Sequence, residues 1–439
     1  MDLFSKEALN PGVRRREVFG WAMYDFANSG YTTVVLTAVF NTYFVSVAAG
    51  NAGWATFAWT LTLAASSLIV MLTMPALGAH ADLHASKKRL LAVTTTGCVL
   101  ATAALALVGP GDLWVAALAV MLSNVFYAYG ESLTAAFLPE LARTEAIGRV
   151  SGWGWSFGYF GGMLSLGLCL AYVLWAQRQG LAATHFVPVT MLITAVVYGT
   201  ASLATFALLR ERAVPQAAPV GDAGLATALR RLAATWRSAR RYRDFCWLLA
   251  CAAFYQAGIS VVIALAAVYA QEVLGFQQAQ TMMLVFLVNI AAALGAFAFG
   301  YGQDRIGHKP ALAVTLVGWI VMTVLAAAAT GPGLFWVAAV IAGLCMGSSQ
   351  SAGRALAGVF APAAQRGEFY GLWTFATRLA AIAGPLTYGL VTWLSGGNHR
   401  LAILSTAAFF VVGLGLMWPM NVRRGQEAAL LPVTPLPVK

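Results

Sequence analysis

The sequence predicts an all-α integral membrane protein with twelve transmembrane helices in two six-helix halves and both termini in the cytoplasm. Composition is the first observation behind this reading. Of 439 residues, 60% are hydrophobic and 10% charged, with a mean hydropathy of +0.74, whereas a soluble domain carries about 25% charged residues. So little charge does not clothe a water-facing surface, which excludes a soluble enzyme, a nucleic-acid-binding domain and a disordered scaffold. The second observation is a series of twelve apolar stretches, each near the ~20 residues that a bilayer core about 30 Å thick requires. The third is the placement of charge: Lys and Arg number 27 against 16 Asp and Glu, and the basic residues crowd into alternate loops.

Bounded by charge, Pro or Gly clusters, the spans run at about 19–48, 54–79, 89–109, 113–138, 149–176, 185–209, 244–271, 279–302, 311–330, 334–359, 370–394 and 401–420. Transmembrane strands are half as long and alternate in polarity, so helices are expected. The first stretch is too long for a signal peptide and holds Asp25 and Asn28, so it reads as the first helix. Lys and Arg favour the cytoplasmic side. Here one side holds Lys6, Arg14 to Arg16, Lys87 to Arg89, Arg143, Arg149, Arg210, Arg212, Arg305, Lys309, Arg366, Arg423, Arg424 and the arginines of 230–243, and the other holds Arg178 and Arg400.

The chain divides into a cytoplasmic segment 1–18, a first half 19–209, a basic linker 210–243, a second half 244–421 and a tail 422–439. In the linker Leu225, Leu229, Leu232 and Trp236 recur at spacings of four, three and four beside six arginines. Such a helix lies on an anionic inner leaflet, or is a solvated basic connector. The five cysteines, 98, 169, 246, 251 and 345, stand in apolar stretches and read as small core residues rather than disulfides or ligands.

The two halves repeat a motif. After the second span the chain reads Gly78-Ala-His-Ala-Asp82, followed by a basic cluster from Lys87, and after the eighth it reads Gly300-Tyr-Gly-Gln-Asp304-Arg305-Ile-Gly307-His-Lys309. The glycines, and likewise the aspartates, are 222 residues apart. A helix ending in Gly, an Asp just beyond it, a tight turn and basic residues would fasten neighbouring helix ends. This pattern resembles the loops between helices 2 and 3 and between 8 and 9 of the major facilitator superfamily, although the first copy lacks the Arg after Asp82 and the turn glycine. Four further stretches look like the superfamily's unknown-major-facilitator family, which includes the fungal vacuolar amino-acid effluxers of autophagy: Trp21-Ala-Met-Tyr24-Asp25-Phe26-Ala27-Asn28-Ser29, Leu138-Pro139-Glu140-Leu141, Ser151-Gly152 through Gly162, and Glu368-Phe369-Tyr370-Gly371. The resemblance implies transport of a small polar metabolite by alternating access, in the efflux direction. The chain departs from the family at Gln256, where an acid often follows the tyrosine of helix 7, and Tyr159 stands where an antiporter motif would place Pro.

Ionisable groups within a bilayer are costly and each needs a reason. Asp25, Glu131, Arg354 and Arg378 fall inside spans, and counting from the span ends at 1.5 Å per residue places all four in one cytoplasmic-side layer roughly 10 Å deep. Either the acids carry protons while the arginines attract a substrate carboxylate, or the four latch the halves as salt bridges, Arg378 being the most structural because helix 11 is usually peripheral. Polar stripes place Tyr24, Asn28 and Tyr31 on one face of helix 1, and Asn124, Tyr127 and Glu131 on one face of helix 4. Gln256 and Ser260 share a face of helix 7, as do Gln350 and Arg354 in helix 10. The resemblance makes these four helices the walls of a central cavity, to which Tyr255 and Trp373 would add aromatic surface.

Gly154, Gly158 and Gly162 on helix 5, with Ala292, Ala296 and Gly300 on helix 8, form small-residue seams that permit close helix approach, and the resemblance makes them a sliding surface between the halves. Gly384-Pro385 marks a kink. Histidines 80, 84, 185, 308 and 399 lie in loops or at span ends, and no Cys/His cluster, phosphate loop or Ser-His-Asp set can be assembled. The expectation is therefore a transporter rather than an enzyme, with no cofactor or metal, acting as a monomer on a small-molecule substrate and protons in the inner cell membrane. Amphipathic drug efflux and a transporter-like metabolite sensor remain as alternatives.

Overall fold

This computed structural model describes residues 4–50, 52, 54–215, 241–276 and 278–431, so the helix expected at 225–236 lies outside the described residues. Twelve long helices follow one another: α1 Arg15–Tyr31, α2 Ala55–His84, α3 Lys87–Ala104, α4 Leu113–Ala135, α5 Ile147–Arg178, α6 Ala183–Leu208, α7 Arg243–Leu274, α8 Gln278–Ile306, α9 His308–Ala328, α10 Pro332–Phe360, α11 Arg366–Leu394 and α12 His399–Met417. A short amphipathic helix, α13 Val422–Leu430, ends the described chain. Beyond Tyr31 the first helix continues in π-helical turns, Thr32–Ala38 and Phe44–Ala48.

Eleven helices are long and apolar enough to cross a membrane. The exception among the twelve is α11, which has the length but carries Arg366, Glu368 and Arg378 and falls short in apolarity. Trp54, Trp114, Trp175 and Trp393 stand exposed near helix ends at the face away from the termini, where amphipathic rings meet a membrane–water interface.

The helices before and after residues 216–240 pack by one repeated scheme. The pairs α1–α5, α2–α4, α3–α4, α1–α6 and α3–α6 have their counterparts in α7–α11, α8–α10, α9–α10, α7–α12 and α9–α12. The two groups meet through α2 against α11 and α5 against α8, with α5 also touching α10 and α4 touching α11. Each contact is the pseudo-two-fold image of another, the geometry that a duplicated six-helix unit produces.

Two sequence expectations change at the motif. The helices do not end at Gly78 and Gly300; α2 runs to His84 and α8 to Ile306, so both aspartates lie within helices. The chain turns at Gly307, with φ +95°, and at Ala85, with φ +48°. Ala85 thus occupies the left-handed position that its pseudo-symmetric counterpart gives to glycine. Helix α11 is unbroken through Pro385, and Gly384 brings its backbone against the Ala257 carbonyl of α7. Cys98, Cys169, Cys251 and Cys345 are buried free thiols and Cys246 is half-buried.

Candidate functional site

The inter-group contact is built on glycines that remove side chains from two crossings. A Cβ on Gly78 would strike the Gly367 carbonyl of α11, and one on Gly300 would press on the α5 backbone at Gly148, Arg149 and Gly152. Four residues further along, each helix supplies a carboxylate to the opposite group. Asp82 accepts the amides of Gly367 and Glu368, both at 3.0 Å, and Asp304 accepts those of Gly148 at 3.0 Å and Arg149 at 3.2 Å.

These amides open α11 and α5, where the first N–H groups of a helix have no intrahelical acceptor. An anion there is worth about 0.3–2 kcal/mol through the helix dipole. Asp304 is further held by the Arg149 guanidinium at 3.0 Å. Of the basic residues in the motif, Arg305 is exposed, while the Lys309 ammonium donates to the carbonyls of Trp418 and Met420, capping the end of α12. Lys88 does the same for α6 through the Leu209 carbonyl.

Above this layer the four intramembrane charges form two pairs, each joining one group to the other. Arg354 of α10 donates to Asp25 of α1 at 2.6 Å, to the Ser151 hydroxyl at 3.1 Å and to the Ser151 carbonyl at 2.8 Å. Its guanidinium lies 4.8 Å from the Trp21 ring centre and 5.2 Å from that of Trp155. Gly154 makes room for the pair, because a Cβ there would meet the Asp25 carboxylate, the Arg354 guanidinium and the Trp21 ring.

Arg378 of α11 donates to Glu131 of α4 at 3.0 Å and lies over the Tyr127 ring at 5.9 Å. This pair is the more open: the Glu131 side chain is 38% exposed and that of Arg378 15%, against 10% and 8% for Asp25 and Arg354. Counted along their helices, the members of the two pairs stand at unequal distances from the helix ends rather than at the common depth expected. Arg378 is twelve residues, roughly 18 Å, into α11, whereas Arg354 is roughly 9 Å from the end of α10.

The other expected positions make their contacts within one group or the other. Tyr24 is fully buried and its hydroxyl meets Thr95 and Tyr198 within the first group. Tyr31 bonds Ser123 at 2.8 Å and stacks on Tyr127, and Asn124 donates to Ser66 at 2.6 Å. Asn28 is buried, while Gln256 of α7 donates to Gln350 of α10 at 2.7 Å, with Gln350 half-buried. Tyr255 is buried with Trp373 against Gly353, and its hydroxyl has no hydrogen-bond partner among the described residues.

The α5 glycines also differ from expectation. Gly154, Gly158 and Gly162 face Asp25, Ser29 and Thr33 of the first helix and its continuation, Gly154 also meeting Arg354 of α10, and it is Gly148 and Gly152 that face α8. Ala296 and Gly300 do face α5 through Gly152, while the Ala292 carbonyl lies against Gly347 of α10.

Several charged contacts had no individual sequence signal. Lys87 pairs with Glu140 in a fully buried contact, with Arg366 3.9 Å from the same carboxylate. Glu17 pairs with Arg212 at 2.7 Å, and Asp244 takes two bonds from Arg424, at 2.6 and 2.7 Å. Glu211 accepts the amides of Lys87 and Lys88 at 2.8 and 3.0 Å, and burial pushes its carboxyl above the usual range although those amides pull it down. Among the described residues no group of three or more His, Cys, Asp and Glu is placed to hold a metal ion.

Twelve helices in a duplicated unit, joined by Gly/Asp clamps, define a transporter of the major facilitator fold. The human organic anion transporter MFSD10 superposes with a TM-score of 0.70 over 92% of this chain and 99% of its own, at 17% identity. The proton:xylose symporter XylE gives 0.71 over 92% and 95%, at 14% identity. These likenesses concern the fold.

The chain belongs to the family described as vacuole effluxer Atg22 like, whose model matches residues 55–149 and 144–430. A Bacillus subtilis relative, named as the uncharacterized MFS-type transporter YxiO, is 26% identical over 410 residues, 90% of this chain and 93% of its own. Autophagy-related protein 22-1 of Aspergillus niger is 24% identical over 304 residues, 64% of this chain, and the match spans about half of that fungal relative, 48%. The protein is thus an integral multi-pass transporter of this superfamily and not an enzyme.

Proposed function

We propose that this protein is a secondary active transporter that moves a small polar metabolite, an amino acid or a similar zwitterion, out of the cytoplasm by rocking two six-helix halves, 19–209 and 244–421, about a central site. In this reading α11 is the twelfth crossing helix. Both termini are cytoplasmic because the basic loops lie at their end of the bundle, and the protein works as a monomer in the inner cell membrane, its basic linker on the anionic leaflet. The family description, vacuole effluxer Atg22 like, supports efflux.

The observation that carries the proposal is where the groups are joined. The inter-group hydrogen bonds given above, from the Asp82 and Asp304 clamps to the Asp25–Arg354 and Glu131–Arg378 pairs, all lie between the terminal end of the bundle and its middle. These bonds join the groups at that end while Glu131 keeps exposed surface, and in this reading the Glu131–Arg378 pair is reached from the other side. Coupling follows from the acids. A carboxylate loses its attraction to a buried guanidinium when it is protonated, so a proton on Asp25 or Glu131 loosens one inter-group pair.

The test is flux of radiolabelled amino acids in proteoliposomes with and without an imposed pH gradient. Saturable, gradient-dependent accumulation that Asp25→Asn abolishes, leaving counterflow measurable, is expected. Equal uphill rates in the variant remove Asp25 from coupling, and binding without turnover would make the protein a sensor.

A further inference from the structure

The geometry points to a division of labour between the two intramembrane arginines: Arg378 is the binding group for a carboxylate on the substrate, with Glu131 receiving a cationic group, while Arg354 stays with the protein throughout binding. This rests on the transport reading above and deepens it.

The donors of Arg354 are in use. Its Nε bonds the Ser151 hydroxyl, one terminal nitrogen bonds Asp25 and the other the Ser151 carbonyl, and indole rings lie near its guanidinium carbon. A guanidinium offers five N–H donors in a fixed fork, and here all three nitrogens are engaged in a side chain 8% exposed. A substrate would have to break these bonds before gaining any.

Arg378 is the reverse case. One terminal nitrogen meets Glu131 at 3.0 Å, and its Nε is buried with no hydrogen-bond partner. The contact is single-pronged, although guanidinium and carboxylate favour two parallel bonds. Glu131, at 38%, is the most exposed of the four charged side chains. A buried N–H without an acceptor marks an incomplete site, and a ligand carboxylate in the plane of the guanidinium completes it. Glu131, giving up its bond to Arg378, then faces the ligand's ammonium. Both protein charges remain compensated, which a lone carboxylate or a lone amine does not achieve. The Tyr127 ring, backed by Tyr31 at 5.2 Å, supplies the wall beneath the guanidinium. The ligand class is therefore a small molecule carrying adjacent anionic and cationic groups.

The experiment uses the full chain in proteoliposomes, with counterflow of a labelled mixture of the twenty amino acids as readout. Competitors are the best amino acid of that mixture, its decarboxylated amine and its deaminated acid. In the wild type the amino acid should compete at least tenfold better than either fragment. Arg378→Gln should raise its KM at least tenfold and abolish its advantage over the amine, and Arg378→Lys, which keeps the charge but not the fork, should fall between. Arg354→Gln should leave the KM within about threefold while changing the maximal rate. Melting temperature and gel filtration establish that each variant is folded, and Glu131→Gln, which removes the cationic subsite alone, should cost the advantage over the deaminated acid. An unchanged KM in Arg378→Gln beside a raised KM in Arg354→Gln overturns the assignment. Absence of counterflow in the wild type overturns the transport reading itself, a distinct result.

Discussion

Replacing Asp25 by Asn removes one partner of a pair that is nine-tenths buried and strands the Arg354 guanidinium. Breaking such a pair costs about 3–5 kcal/mol, chiefly because the remaining charge is uncompensated. Arg354 keeps two bonds to Ser151 and the Trp21 and Trp155 rings, which places the cost near the lower limit, about 3 kcal/mol. If the pair exists only while the terminal end is shut, the ratio of closed to open molecules should fall roughly a hundredfold. The assay is the rate at which a membrane-impermeant maleimide alkylates a cysteine at position 351, where Ser351 is fully buried between α10 and α5, with the five native cysteines replaced. Labelling should accelerate strongly in Asp25→Asn and fall back toward wild type in Asp25→Asn/Arg354→Gln, which removes the stranded charge. Labelling rates equal in the wild type and the single variant would refute the view that this pair holds the end shut.

Three other expectations concern stability. Ala85 sits at φ +48°, a conformation that costs an L-residue about 1–2 kcal/mol, while glycine brings back about 0.5–1 kcal/mol of chain entropy. Ala85→Gly should therefore raise the melting temperature, by under about 1.5 kcal/mol in stability, without altering flux. Tyr24→Phe removes two buried hydroxyl contacts and should cost about 1 kcal/mol with an unchanged KM; a raised KM would return Tyr24 to the cavity. Because burial raises the Glu211 carboxyl, the folded protein holds that proton to higher pH than the unfolded chain, so stability falls as pH rises between the two ionisations. Glu211→Gln should remove this part of the pH dependence of the melting temperature.

The duplicated helices and the motif glycines and aspartates were legible in sequence because each obeys a one-dimensional rule: hydropathy over the length of a bilayer, and a fixed spacing repeated once. What the motif does was half legible. An Asp near a helix end announces a cap, but not that it caps a helix of the opposite group, since Gly367 and Gly148 stand far from Asp82 and Asp304 in the chain. Polar stripes do not separate cavity from core at Tyr24 and Tyr31, for a physical reason. A hydroxyl facing a watery path and one facing Thr95, Tyr198 or Ser123 inside a helix bundle leave the same periodicity. The α5 glycines show the same ambiguity: spacing by four establishes a close approach, but the partner proved to be α1, where Gly154 clears space for an ion pair. The buried Lys87–Glu140 pair was hidden because both residues sit at span ends, where charge is expected in any case.

The same inventory bears on how such a protein moves. The shut end combines four amide bonds to two aspartates, an ion pair at Asp304, a buried pair at Asp25 and a half-open pair at Glu131. Two conformations interconvert usefully only when they differ by a few kcal/mol, so these bonds cannot all be lost without replacement. The clamps need the least. Freed helix amides and the carboxylates of Asp82 and Asp304 lie at the bundle's end, where water can take both partners. The Asp25–Arg354 pair lies roughly 15 Å along α1 from its first residue, where water is scarcer, and it is the contact whose loss is dearest. A proton on Asp25 changes that balance by removing the ionic part of the contact; Ser151, Trp21 and Trp155 stand in the same group as Asp25, so their contacts with Arg354 are lost together with it when the end opens. The stabilising role of Ser151 therefore belongs to the shut state, so Ser151→Ala, which removes the hydroxyl bond to the Arg354 Nε, should lower the melting temperature of the shut form and speed alkylation at position 351; an unchanged labelling rate would refute it.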